Sequence, residues 1–178
     1  MKEIRQIVIA PDSFKGTMEA SQVCQIIQGS ARQYFPDAAV RCIPMADGGE
    51  GMVDAYLKLL GGRKVLLSVQ GLQGRPVACY YGILPDGTAV MEMAACAGLP
   101  LLDGALDPMH TTTYGVGEML LHAERNGVRR VLLGIGGSAT VDCGLGMAAA
   151  LGYRFLNKDG AAVEAVTCHM AEIAAIVP

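Results

Sequence analysis

The sequence predicts an α/β fold with a mainly parallel sheet in three layers. Short β-branched runs alternate along the chain with segments of helical periodicity, the pattern of strand–helix–strand units. Polar, glycine-rich loops follow three of those strands, and in such folds ligands gather at the carboxyl ends of strands. Apolar residues make up 52% of the 178 and charged residues 17%, which allows a sizeable core and argues against disorder.

The elements follow in order. Ile4 to Ala10 reads as a buried strand, and Pro11-Asp12-Ser13-Phe14-Lys15-Gly16 as the loop after it. Thr17 stands where it would cap a helix whose apolar residues Ala20, Val23, Cys24, Ile27 and Ala31 share one face. Phe35-Pro36-Asp37 ends that helix. Val40 to Met45 reads as a second strand, Ala46 to Gly51 as a second loop, and Met52 to Leu60 as a second helix closed by Gly61-Gly62. The texture then changes. Lys64 to Val69, Val77 to Leu84 and Thr88 to Ala94 read as three strands, the last two joined by a Pro85-Asp86-Gly87 hairpin turn. This meander suggests either a boundary near residue 62, with 1–62 part of a first α/β domain and 63–178 the start of a second, apparently truncated, or an antiparallel excursion on the same sheet.

Pro100 to Met109 is loop-like. Thr111-Thr112-Thr113 leads into a helix reaching about Asn126, with Gly127 as its stop. Val131 to Leu133 is a strand, 134–146 a glycine-rich loop, and Met147 to Leu151 the start of a helix. Asn157 to Gly160 is a turn, and Ala162 to Ile176 is expected to be a last helix.

Net charge is −3 with no long basic run, so nucleic acid is a poor partner on electrostatic grounds. Apolar stretches are broken by Gly, Pro or charge well short of a membrane span. The cysteines Cys24, Cys42, Cys79, Cys96, Cys143 and Cys168 form no CxxC pair, and no signal peptide precedes them. Reduced thiols in a cytoplasmic protein fit that pattern, and a zinc site does not.

The chemistry lies in the three loops. Residues 134–146 read GIGGSATVDCGLG. A backbone without Cβ approaches a phosphate closely, and a helix N-terminus presents N–H groups and partial positive charge. A tight structural turn explains the same glycines equally well. Gly136, Gly137, Ser138, Ala139 and Thr140 are the candidate donors, with Asp142 a candidate metal ligand or base. Loop 10–16 offers Asp12, Ser13 and Lys15, the lysine as a point charge for a phosphate or as a solvated residue beside a cap. Loop 46–51 offers Asp47 and Glu50 among Gly48, Gly49 and Gly51; hard carboxylates near phosphates hold Mg²⁺ or accept a hydroxyl proton. Thr112 and Thr113 either contact a ligand or cap the helix after them. Glu92, inside an apolar strand, either has a buried partner or faces outward. His110, His122 and His169 share no spacing. Neither the Walker pattern nor the dinucleotide fingerprint is present.

Five stretches in series, IAPDSFKGTMEAS, PMADGGEGMVDA, MEMAACAGLPLL, TTTYGVGE and GIGGSATVDCGLGM, closely resemble the bacterial-type glycerate kinase family, from about Ile7 to Gly152. That resemblance implies a two-domain α/β architecture with a cleft site, ATP and Mg²⁺ as cofactors, D-glycerate as substrate and 2-phosphoglycerate as product. A 3-phosphoglycerate product or a non-catalytic anion-binding piece are the alternatives. It implies catalytic roles for Lys15, Asp47 and Glu50, anion binding by Asp12, Ser13, Gly48, Gly49, Thr112, Thr113 and Gly136 to Thr140, and metal binding by Asp47 and Asp142. Family members are about twice this length, and their later motifs, one built around an Asp and an Asn-Pro pair, have no counterpart here. The chain is thus expected to be an N-terminal portion whose partner is the missing C-terminal half or a further copy of itself. Two departures stand out: Val141 where the family usually has Asn, and Cys143 where it usually has Gly.

Overall fold

The computed structural model describes residues 4–14, 17–102, 104 and 106–178. Two compact units divide the chain, Met1–Asp47 and Gly48–Pro178.

In the first unit, β1 (Gln6–Ile9) and β2 (Ala39–Cys42) pair in parallel, from Gln6 opposite Ala39 to Ile9 opposite Cys42. Parallel strands need a crossover, and α1 (Ala20–Tyr34) supplies it. Val23 and Cys24 are buried against the strands, and the Cys24 thiol donates to the Ile9 carbonyl at 3.8 Å. The helix starts two residues later than Thr17 leads one to expect. Glu19 is the N-cap, and its N–H donates to the Gln22 side chain at 3.0 Å in a capping box. Thr17 instead sits in a turn, its amide bonded to the Phe14 carbonyl. Ile27, expected on the buried face, is 42% exposed, because two strands give too little surface to cover the whole helix.

The second unit opens with α2 (Met52–Leu60), whose bounds match the sequence expectation and which Gly61 closes at φ 77°. A four-stranded sheet follows in the order β3 (Arg63–Gln70), β4 (Pro76–Ile83), β5 (Thr88–Glu92), β6 (Arg130–Gly134). Strand alternation divides its faces. Val65, Leu67, Val69, Cys79, Tyr81, Ala89 and Met91 point into the main core with Val116, Met119 and Ala123 of α4 (Tyr114–Arg125). Gly82 lies on the other face against Leu57 and Val53 of α2, and Glu92 points the same way. The sheet is therefore the middle of three layers. α5 (Leu145–Ala150) packs on α4, where a Cβ on Gly117 would fall 2.4 Å from the Met147 carbonyl oxygen.

The α/β class holds, but the pairing is mixed where a mainly parallel sheet is expected. β1–β2 and β5–β6 are parallel, while β3–β4 and β4–β5 are antiparallel. Two further departures concern helices. Ala94, expected to end a strand, instead opens a single helical turn, α3 (Ala94–Ala97). The expected helix over 162–176 is instead β8 (Ala162–Val163), a 3-10 turn at Thr167–Glu172 and β9 (Ala175–Val177). β7 (Arg154–Leu156) takes β8 on one edge and β9 on the other, and β-branched Val163, Ile176 and Val177 suit that ladder better than a helix.

All six cysteines are free thiols. Burial pushes the Cys79 thiol up to about 11 and that of Cys96 up to about 12, so both stay protonated core residues. Among the described residues no helix is long and apolar enough to cross a membrane.

Candidate functional site

The glycines of two motif loops exist for each other. Gly48 O accepts the Gly136 amide at 2.9 Å. A Cβ on Gly134 would lie 2.3 Å from Gly48 O, and one on Gly136 would lie 2.6 Å from Gly49 N. Real carbons do not approach so closely, so the stretch 48–49 lies on 134–136 backbone to backbone only because neither side carries side chains. Gly48 also needs its left-handed φ of 92°. The next turn is tied on its other flank, since the Ala139 amide donates to Ala97 O at 2.8 Å and the Leu99 amide to Gly137 O at 3.1 Å. Ser138 and Thr140 then stand half-buried with their hydroxyls 2.8 Å apart.

Downstream of that turn sits a buried carboxylate. Asp142 is 1% exposed. Its Oδ2 accepts from the Thr113 amide at 2.8 Å, the Thr113 hydroxyl at 2.8 Å and the Gly146 amide at 3.1 Å, while Oδ1 accepts from the Gly144 amide at 3.1 Å. Thr113 Oγ1 in turn accepts the Met147 amide at 2.9 Å, and the Leu145 amide donates to the Asp142 carbonyl at 2.9 Å. The N–H groups that open α5, which the sequence offers to a ligand anion, are thus taken by the protein's own carboxylate and a threonine. The other two threonines serve the same scaffold. Thr111 Oγ1 donates to Ala139 O at 3.1 Å, and Thr112 Oγ1 accepts the Tyr114 amide at 3.2 Å at the start of α4. Gly146 fits beneath them because a Cβ there would meet Thr112 Oγ1 at 2.0 Å.

The 48–51 loop has a counterpart anchor. Gly51, the N-cap of α2, has no side chain, and Glu92 reaches across from β5 to accept the Val53 amide at 2.7 Å. Burial raises the Glu92 carboxyl above the usual range, with the Val53 and Gly51 amides pulling the other way. Met93 N donates to Gly134 O at 2.8 Å, so the end of β5 supports both motif loops.

Among the expected site residues, Gly48, Gly49 and Gly136 to Thr140 are brought together. Glu50 is exposed at the entrance to α2. Asp47, also exposed, belongs to the first unit. There too the Met45 amide donates to Pro11 O at 2.9 Å, which places loop 11–14 beside the segment entering 46–47. Asp12 is exposed and accepts the Ser13 amide at 2.7 Å. Lys15 lies outside the described residues. Thr112 and Thr113 turn inward to the scaffold. Asp142 does not fit a metal: its oxygens are occupied by N–H and O–H donors, and no group of three His, Cys, Asp or Glu side chains positioned for a metal exists among the described residues. Asp47 and Glu50 are each exposed carboxylates of the hard oxygen type that Mg²⁺ accepts, a cation that keeps much of its water and needs one or two carboxylates beside a phosphate. Sequence reasoning leaves the roles of Glu92 and Ala97 unassigned. The strand parity of Glu92, shared with Val90 rather than with the core-facing Ala89 and Met91, is the signal that locates it.

A sequence model of the glycerate kinase family matches residues 7–177. The chain is 46% identical to the glycerate kinase of Halalkalibacterium halodurans over 86% of its length, and 45% identical to the glycerate 2-kinase of Escherichia coli K12 over 87%. Each alignment covers 41% of the relative. The crystal structure described as a glycerate kinase 2 from Salmonella typhimurium LT2 superposes with a TM-score of 0.77 at 40% identity, over 97% of this chain and 47% of that one. The chain spans about half the length of the relatives it matches.

Proposed function

This chain belongs to the glycerate kinase family, and on that premise we propose that it supplies part of the site for ATP-dependent phosphorylation of D-glycerate to 2-phosphoglycerate. The observation that carries the reading is the backbone docking of Gly48–Gly49 on Gly134–Gly136, which brings two motif loops to one place and presents the Ser138 and Thr140 hydroxyls beside them. A phosphoryl transfer site needs anion donors, open carboxylates and a mobile positive charge far more than covalent chemistry. The Gly136–Thr140 turn supplies the first. Asp47 or Glu50 would serve Mg²⁺, which neutralises phosphate charge when bound, or accept the glycerate hydroxyl proton. Lys15 would neutralise phosphate as a point charge. Asp12 and Ser13 would contribute further anion contacts.

The test is an assay of purified chain with ATP, Mg²⁺ and D-glycerate, alone and with the C-terminal half of the Escherichia coli glycerate 2-kinase. ADP release measures turnover. Coupling through enolase reads 2-phosphoglycerate directly, whereas a 3-phospho product registers only after a mutase is added. Turnover on complementation is the expected result. ATP hydrolysis or phosphorylation that ignores D-glycerate would overturn the substrate, and no turnover in either arm would leave a non-catalytic anion-binding piece.

A further inference from the structure

We propose that Asp142 and Thr113 are a positioning pair: they hold the 136–140 turn in its anion-binding shape and touch neither metal nor substrate. Asp142 stands one residue beyond Val141, immediately after the turn that carries Ser138 and Thr140. Its carboxylate is fully buried and accepts bonds from four donors on two separate segments, the start of α4 and the start of α5. Thr113 completes the clasp by taking the Met147 amide on the oxygen whose proton goes to Asp142. The geometry therefore inverts the usual reading of a glycine loop before a helix. The negative charge that complements the amides opening α5 is built into the chain, and an incoming phosphate would have to displace a buried carboxylate to reach them.

What the clasp secures is the far end of the turn. Its near end is held by Gly136 on Gly48 O, and its middle by Ala139 on Ala97 O and by Thr111 on the Ala139 carbonyl. With both ends fixed, the Ser138 and Thr140 hydroxyls keep a single arrangement. Preorganised donors cost nothing to orient when charge arrives, so loosening one end lowers the rate even where the chain stays folded.

This inference rests on the kinase reading, and its experiment separates the two. Asp142→Asn, Thr113→Val and Thr113→Ser are made in this chain and measured in the complemented enzyme. Asp142→Asn and Thr113→Val should each lower kcat/KM about tenfold or more, with a double-variant loss close to that of either alone. Thr113→Ser, which keeps the hydroxyl, should recover most of the activity. The Mg²⁺ concentration for half-maximal rate and the acidic limb of the pH profile should not move. A raised Mg²⁺ requirement would make Asp142 a metal ligand, and a lost acidic limb would make it a base; either overturns the proposal, as does an unchanged kcat/KM. Hydrogen exchange on the chain alone supplies an arm independent of turnover. Both loosening variants should speed exchange in peptides spanning 136–147 and leave β3 and β4 protected. If the unaltered enzyme does not phosphorylate D-glycerate, the functional reading fails while this exchange pattern still decides the clasp; unchanged exchange overturns it.

Discussion

Glu92 at the end of β5 accepts the amide of Val53, the second residue of α2, at 2.7 Å. A helix that begins on glycine has no side chain of its own to satisfy its first amides, and a buried carboxylate 39 residues away does the work of an N-cap. Replacing it by Gln keeps one acceptor but puts an NH2 group in place of the second carboxylate oxygen, among N–H donors. Glu92→Gln should destabilise the chain by about 1–2 kcal/mol, and Glu92→Ala by about 2–3 kcal/mol with its orphaned amides, both read from urea unfolding.

The same carboxylate makes stability depend on pH. Burial raises its folded value above the unfolded one. In the window between them the native state binds more protons than the unfolded chain, so stability falls as pH rises through that window. The Glu92 contribution is greatest below the ordinary carboxylate range and levels off above the raised value. Unfolding midpoints followed from acid to neutral pH should show this slope in the wild type and lose it in Glu92→Gln. A slope of the opposite sign assigned to this residue would mean that its amide bonds outweigh its burial.

Glycine substitutions should separate close approach from simple flexibility. Gly134→Ala and Gly136→Ala drive a carbon into the backbone of Gly48 or Gly49, which should cost about 1–3 kcal/mol or displace the 48–51 loop. Gly29, inside α1 with nothing within 4 Å of its added carbon, is the control. Gly29→Ala should stabilise by about 0.5–1 kcal/mol. Equal behaviour of the two sites in thermal unfolding would contradict the docking of the loops.

Cys143 holds a left-handed φ of 51°, the non-glycine exception among the described residues. Strain of about 1–2 kcal/mol is offset in part by the greater entropy that glycine loses on folding, about 0.5–1 kcal/mol. Cys143→Gly should therefore gain about 0.5 kcal/mol, whereas Cys143→Val, β-branched, should lose stability. Differential scanning calorimetry resolves both directions.

Lys15→Ala in the complemented enzyme should lower kcat/KM by about a hundredfold or more, on the order of 3 kcal/mol of transition-state stabilisation. Near-normal activity would remove the phosphate role from this lysine. Salt should narrow the gap between variant and wild type, since a point charge is screened.

Local signals were legible where local physics decides. α2 appears at its expected bounds because apolar periodicity, an opening loop and a closing Gly61 all fall within ten or so residues. The Pro85-Asp86-Gly87 hairpin between β4 and β5 is legible for the same reason, with Gly87 at φ 81°. The motif loops stand out by composition alone. Misreadings gather where a distant partner overrides propensity. Residues 162–176 carry alanines and apolar residues at helical spacing, Val163, Val166 and Met170, yet the two ends of this stretch pair across β7, with Phe155 opposite Val163 on one edge and Ile176 on the other. Thr17 yields the cap to Glu19, whose own amide is satisfied from Gln22.

By itself the sequence determined the α/β class, the family resemblance, the three glycine-rich loops and most helix and strand positions, since these depend on periodicity, turn chemistry and motif order within short windows. Tertiary structure alone decided which partners the motif residues meet. Asp142 reads as a candidate metal ligand or base, and the structure surrounds its two oxygens with four donors contributed from residues 113 to 146. Glu92 reads as an anomaly until the sheet brings it beneath α2. A carboxylate's role follows from which donors surround it, and those donors come from segments far apart in sequence that only the packed sheet and helices bring within hydrogen-bond reach.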